Sequence, residues 1–141
     1  MNPLEAIDAG RKILDPVMTA AGFAYEPASA GNGSGGPFAA AAYVRDDRRM
    51  SFSYRWAIGD VQYQIGSDSL EHMAYMRSLG HYFDAHFAAF SREVPMAGFV
   101  ALAHDLKAFA ADFLRGKGVE FRRFATQLAG MPDGRLPAFL P

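Results

Sequence analysis

The chain contains no cysteine. That single absence excludes thiol nucleophiles, thiolate zinc sites and disulfide frameworks. An excess of charge of either sign is also missing, since 14 Lys and Arg stand against 15 Asp and Glu for a net charge of −1. Phosphate backbones are bound by a basic surplus gathered on one face, so no nucleic-acid partner is expected. Long apolar runs are absent too. Nothing approaches the roughly 18 consecutive apolar residues of a membrane span, so no membrane partner is expected. The opening stretch MNPLEAIDAGRKILDP carries acids early and has no apolar core, unlike a secretory leader. A cytoplasmic location is the resulting expectation.

Catalytic and metal-binding signatures are equally scarce. The glycine-rich stretch 26–37, EPASAGNGSGGP, lacks the Lys-Ser/Thr pair of a phosphate-binding P-loop and the G-x-G-x-x-G frame that opens a helix. There is no G-x-S-x-G nucleophile elbow. The histidines are His72, His81, His86 and His104, and no two of them stand three or four apart, as a helical metal pair requires. The expectation is no metal, no cofactor and no catalytic residue, with the histidines capping helices or half exposed. The acids fall at caps, turns and helix surfaces, Asp46-Asp47 before Arg48-Arg49 being one such turn.

What is present is material for a core. Half of the 141 residues are apolar and 13% are aromatic. One domain over 1–141 is the natural reading, and a chain of this size buries roughly 68–70% of its unfolded surface without a disulfide or metal. Asn2-Pro3-Leu4-Glu5 has the form of a capped helix start. Leu4, Ile7, Leu14, Val17 and Met18 continue a helical stripe to Gly22, with Pro16 expected to kink the helix or restart it behind Asp15. Residues 26–37 read as a flexible loop.

Strand patterning follows, over about 38–66. Phe38 to Arg45 reads as a strand despite four consecutive alanines. Met50, Phe52, Tyr54 and Trp56 alternate with Ser51, Ser53 and Arg55, and Val61, Tyr63 and Ile65 alternate with Gln62 and Gln64. These two runs around Gly59-Asp60 predict an antiparallel hairpin. Its apolar face, with Trp56 as a core anchor, should pack on helices. Its polar face presents Arg55, with Gln62, Gln64 and Tyr43 as neighbours. An arginine fork among amides and a phenol suits a carboxylate or phosphate.

Beyond Gly66 the period changes. Asp68-Ser69-Leu70-Glu71 has the form of a helix cap, and Leu70, Met73, Met76 and Leu79 form a helical face. Tyr82, Phe83, Phe87 and Phe90 suggest a helix over 81–91. Phe99, Leu102, Leu106, Phe109 and Phe113 trace another, with His104, Asp105, Lys107, Asp112 and Arg115 outside. Phe121, Phe124 and Leu128 predict a last helix. The turn Pro132-Asp133-Gly134 and an apolar tail with Phe139 and Leu140 close the chain.

The predicted fold is therefore α+β: an N-terminal helix, an antiparallel meander of three to four strands, then three to four helices on its apolar face. This plan is similar to that of many small bacterial interaction proteins, toxin-neutralising immunity proteins among them, but the likeness supplies no residues. Two functions follow as expectations. One is a non-catalytic module that binds a protein partner or a second copy in a homo-oligomer, using Met73, Met76, Phe83, Phe87, Phe90, Phe139 and Leu140. The other is a small-molecule or anion binder, or an enzyme, whose concave site contains Arg55 with Gln62 or Gln64.

Overall fold

The computed structural model describes residues 1–87 and 94–131. Phe90 and the tail with Phe139 and Leu140 lie outside these residues, as does the turn at 132–134. The fold is α+β, with an N-terminal helix, an antiparallel meander and a helical second half. Helix α1 spans Pro3–Ala20. Its start is reciprocal: the Glu5 N–H donates to Asn2 Oδ1 at 2.8 Å, and the Asn2 N–H donates to Glu5 Oε1 at 3.3 Å. Pro16 sits inside α1, which continues past it. Asp15 does not cap a second helix; its carboxylate accepts from the Tyr43 hydroxyl at 2.6 Å and from Arg11 Nε at 3.2 Å.

The sheet has five strands, more than the three to four expected, in the order β1 (Ala24–Gly33), β2 (Gly36–Arg45), β3 (Arg48–Tyr54), β4 (Ile58–Ile65) and β5 (Asp68–Glu71). Every neighbouring pair is antiparallel. Residues 26–37, expected as a loop, instead form most of β1, a tight turn and the start of β2. The alanine run is extended because its pairing is non-local. Ala39, Ala40 and Ala42 each have a partner on both flanking strands, and ladder formation outweighs alanine's helix preference.

Asp68–Glu71 likewise forms a strand opposite Gln62–Ile65 rather than a helix cap. The helix begins one residue later, as α2 (His72–Ser78), with the Glu71 carboxylate accepting from the Met73 and Ala74 N–H groups. Residues 81–87 run as turns, not as the helix their aromatic spacing suggested. Helices α3 (Ala97–Phe109), α4 (Ala111–Leu114) and α5 (Val119–Ala129) complete the described chain.

The core lies between the helices and one sheet face. That face contributes Ala39, Ala41 and Tyr43, then Met50, Phe52 and Tyr54, then Val61, Tyr63 and Ile65. Two arginines from the β2–β3 corner tie the helical end to it. Arg48 donates to the carbonyls of Asp112, Phe113 and Gly116, and Arg45 to that of Leu114. These are carbonyls that the ends of short helices leave without partners. The Asp112 carboxylate then accepts from the N–H groups of Gly118 and Phe121, launching α5.

Helices α1 and α3 meet at Gly10, where an added Cβ would lie 2.5 Å from Phe99 Cδ1. Alanine is the better helix former by about 1 kcal/mol, but the buried ring has no space to retreat. Gly10→Ala should therefore destabilise the fold by about 1–3 kcal/mol, read as a lower urea midpoint. A rise in the midpoint would show that the ring yields freely.

Candidate functional site

A cleft of about 600 Å³ lies at the end of the sheet where β3 turns into β4. Its position follows from a displaced hairpin turn. Tyr54 pairs with Ile58, so the turn comprises residues 55–57, not the Gly59-Asp60 pair that the alternation suggested. Those two residues lie within β4, where the register shifts opposite Phe52 and Asp60 takes φ 51° as an extra residue. The bulge restores the inward direction of Val61.

The shift moves Trp56 out of the core. It is 49% exposed at the rim of the cleft, not the buried anchor expected from its place after Phe52 and Tyr54. Arg55 lies beside it. The Arg55 guanidinium carbon stands 5.6 Å from the centre of the Phe38 ring and 5.9 Å from that of Trp56. Its Nε is buried and makes no hydrogen bond among the described residues. The glycines of the β1–β2 hairpin explain this approach. A Cβ on Gly31 would meet the Phe38 ring at 2.5 Å, and one on Gly35 would fall on the Arg55 guanidinium. The glycine-rich stretch is thus a flat bed for an arginine and a phenylalanine.

Gln62 lines the same cleft, as do Ser53, Asp60 and Glu71, while Met73, Phe87 and Val61 supply an apolar wall. Arg55 and Gln62 are therefore brought together, as the alternation implied. Gln64 is not among the lining residues, and its Nε2 donates to the Gly66 carbonyl at 3.1 Å. Tyr43, expected beside Arg55, is instead buried on the opposite, core face. The Asp46-Asp47 corner is tight, pairing Arg45 with Arg48 and so Tyr43 with inward-facing Met50. Counting residues through that two-residue turn would have revealed the face. Burial, followed by the hydrogen bond to Asp15, pushes the Tyr43 hydroxyl above its ordinary pKa, so it stays a donor.

The cleft is backed by a buried polar knot. Asp105, expected on a wet helix face, is 0% exposed, and His72, expected at a cap or half exposed, is 1% exposed. His72 Nε2 lies 2.9 Å from Asp105 Oδ2, and His72 Nδ1 lies 2.6 Å from the Tyr63 hydroxyl. The other donors to Asp105 are the N–H groups of His86 at 2.7 Å and Phe87 at 2.9 Å, and His104 Nδ1 at 2.9 Å. The rings of His86 and His104 stack in parallel, 3.3 Å apart.

Burial, with Tyr75 and Asp105 close by, pushes Tyr63 well above its usual pKa. Its hydroxyl is thus a donor, the knot being satisfied with the His72 proton on Nε2. Burial alone would raise Asp105, but hydrogen bonds from His72, the His86 N–H, His104 and the Phe87 N–H outweigh it and bring the carboxyl down to about 2. The sequence signal for this knot was spacing: Asp105 stands three residues after Leu102, beside the buried stripe of α3.

No known protein family, curated protein or solved structure matches this chain. The site is accordingly read from its own geometry. Among the described residues, no group of three or more His, Asp or Glu side chains is placed to hold a metal. No described helix is long and apolar enough to cross a membrane.

The knot carries a prediction about acid. The folded Asp105 carboxyl is lowered from 3.8 to about 2, so its stabilising contribution is complete above pH 4 and is lost as pH falls towards 2. Asp105→Asn places an amide NH₂ among converging donors and should cost about 3 kcal/mol at pH 7. Urea titrations between pH 5 and pH 2 should show the natural chain losing this increment and the variant showing a shallower decline. Parallel declines would contradict the lowered pKa.

Proposed function

We propose that the protein is a non-catalytic binding module whose cleft at the β3–β4 turn recognises a ligand through an anionic group. One observation carries the reading: the Arg55 guanidinium lines an aromatic-walled cleft, and no carboxylate among the described residues forms an ion pair with it. The carboxylates nearby have other tasks. Asp60 accepts from Ser53 Oγ at 2.8 Å, and Glu71 caps α2. His72 is held between Tyr63 and Asp105. None of these carboxylates neutralises the guanidinium, which leaves the arginine fork for recognition. A volume of about 600 Å³ falls within the range typical of small-ligand sites.

The chain's one tryptophan is its own reporter, since Trp56 stands at the rim. Phenylpropionate, an aromatic carboxylate, should change Trp56 fluorescence saturably. Arg55→Met should weaken that response at least tenfold, with the circular dichroism spectrum unchanged. An equal response in the variant would remove Arg55 as the recognition group.

Exposed apolar side chains favour a second reading, in which a protein partner or a second copy of the chain docks on the surface. Phe83 is 81% exposed, and Val94, Val100 and Val119 are exposed as well, whereas Met76 and Phe87, expected on this surface, are buried in the core. Light scattering after size exclusion should then show a mass above 15.4 kDa that rises with concentration. A constant monomer across the micromolar range would eliminate the second-copy version.

A further inference from the structure

We infer that the ligand of this cleft is a short peptide with both ends free, its terminal carboxylate at Arg55 and its terminal ammonium at Glu71. The inference rests on the anion-binding reading of Arg55 and extends it to the whole ligand. Its basis is the separation of charge along the cleft. The cationic end is Arg55, over Phe38 of β2. The anionic end is Glu71 on β5, which is exposed; Asp60, also exposed and bonded to Ser53 two residues before Arg55, lies between the ends. Asp60 accepts one hydrogen bond and Glu71 two, and each carboxylate keeps lone pairs for more.

The sheet sets the scale. Glu71 pairs with Gln62 and Gln62 with Ser51, which is four residues before Arg55 on β3. Two strand spacings across and four residues along place the two backbones about 16 Å apart. The guanidinium lies back over Phe38, on the side away from β5; with an ion-pair contact of about 4 Å at each end, an extended ligand of about three to four residues, at roughly 3.3–3.6 Å each, bridges the two groups. A single amino acid is too short, because one carbon separates its charges. A dicarboxylate or a polyphosphate would bring negative charge against Glu71 and Asp60. A diamine would set one ammonium against Arg55.

The middle of the cleft also suits a peptide. The Gln62 amide can both donate to and accept from a peptide group. Met73 and Phe87 form an apolar wall for alternate side chains, which leave opposite faces of an extended chain.

The test uses the tetrapeptide Ala-Leu-Ala-Leu in free, N-acetylated and C-amidated forms, titrated into the full chain by calorimetry and followed by Trp56 fluorescence. The free form should bind with a stoichiometry of one, and either cap should weaken binding at least tenfold. Arg55→Met should abolish the sensitivity to amidation and keep that to acetylation. Glu71→Gln, which retains a capping oxygen for α2, should blunt the sensitivity to acetylation and keep that to amidation. If the caps change nothing, or if the tetrapeptide fails to bind while phenylpropionate saturates the site, the peptide inference falls and the anion site stands. If neither probe binds the natural chain, both fall together. Because the capped ligands are compared on the natural chain, the result does not depend on any variant folding.

Discussion

The Asp105 carboxylate is the interaction around which the helical half is organised. A buried charge is costly unless donors surround it. Here they come from α2 through His72, from the turn through the N–H groups of His86 and Phe87, and from α3 itself through His104. Through His72 the same charge reaches Tyr63 in the middle of β4. Removing it would leave several donors buried without an acceptor. It also fixes where α2 leaves the sheet, and with that the Met73 and Phe87 wall of the cleft.

The opposite wall depends on absence of side chains. Gly31 gives the Phe38 ring room to lie flat, and Gly33 and Gly35 admit the Arg55 guanidinium. Glycine in a strand weakens pairing by its entropy cost, and the compensation here is close packing against an aromatic ring and a cation. The protein thus divides its charged groups by task. Arg45 and Arg48 satisfy helix carbonyls, Asp105 and Asp112 gather N–H groups, and Arg49 is locked to Glu26 by paired bonds of 3.0 and 2.6 Å. Arg55 alone among these arginines approaches an open cleft.

Much of this was legible in residue order, and the misreadings share a cause. The Asn2–Glu5 cap, the inward sets Met50-Phe52-Tyr54 and Val61-Tyr63-Ile65, and the cleft pair Arg55 and Gln62 all follow from periodicity. Trp56 failed because an extra residue at Asp60 resets the alternation, which made a bulge look like a turn. Tyr43 failed because its face depends on the pairing across Asp46-Asp47, not on its own strand. Asp105 failed because a charge beside an apolar stripe looks solvated until its donors, which come from remote segments, are in place.

The sequence by itself determined the class of fold, the inward faces of β3 and β4 and the start of α1, because local spacing decides which side chains share a face. Only the tertiary structure decided where the hairpin turns, that the glycine-rich stretch is a strand pair cradling Arg55, and that Asp105 is the buried anchor. Each of those rests on atoms far apart in the chain, whose partners become known only once the register and packing bring them together.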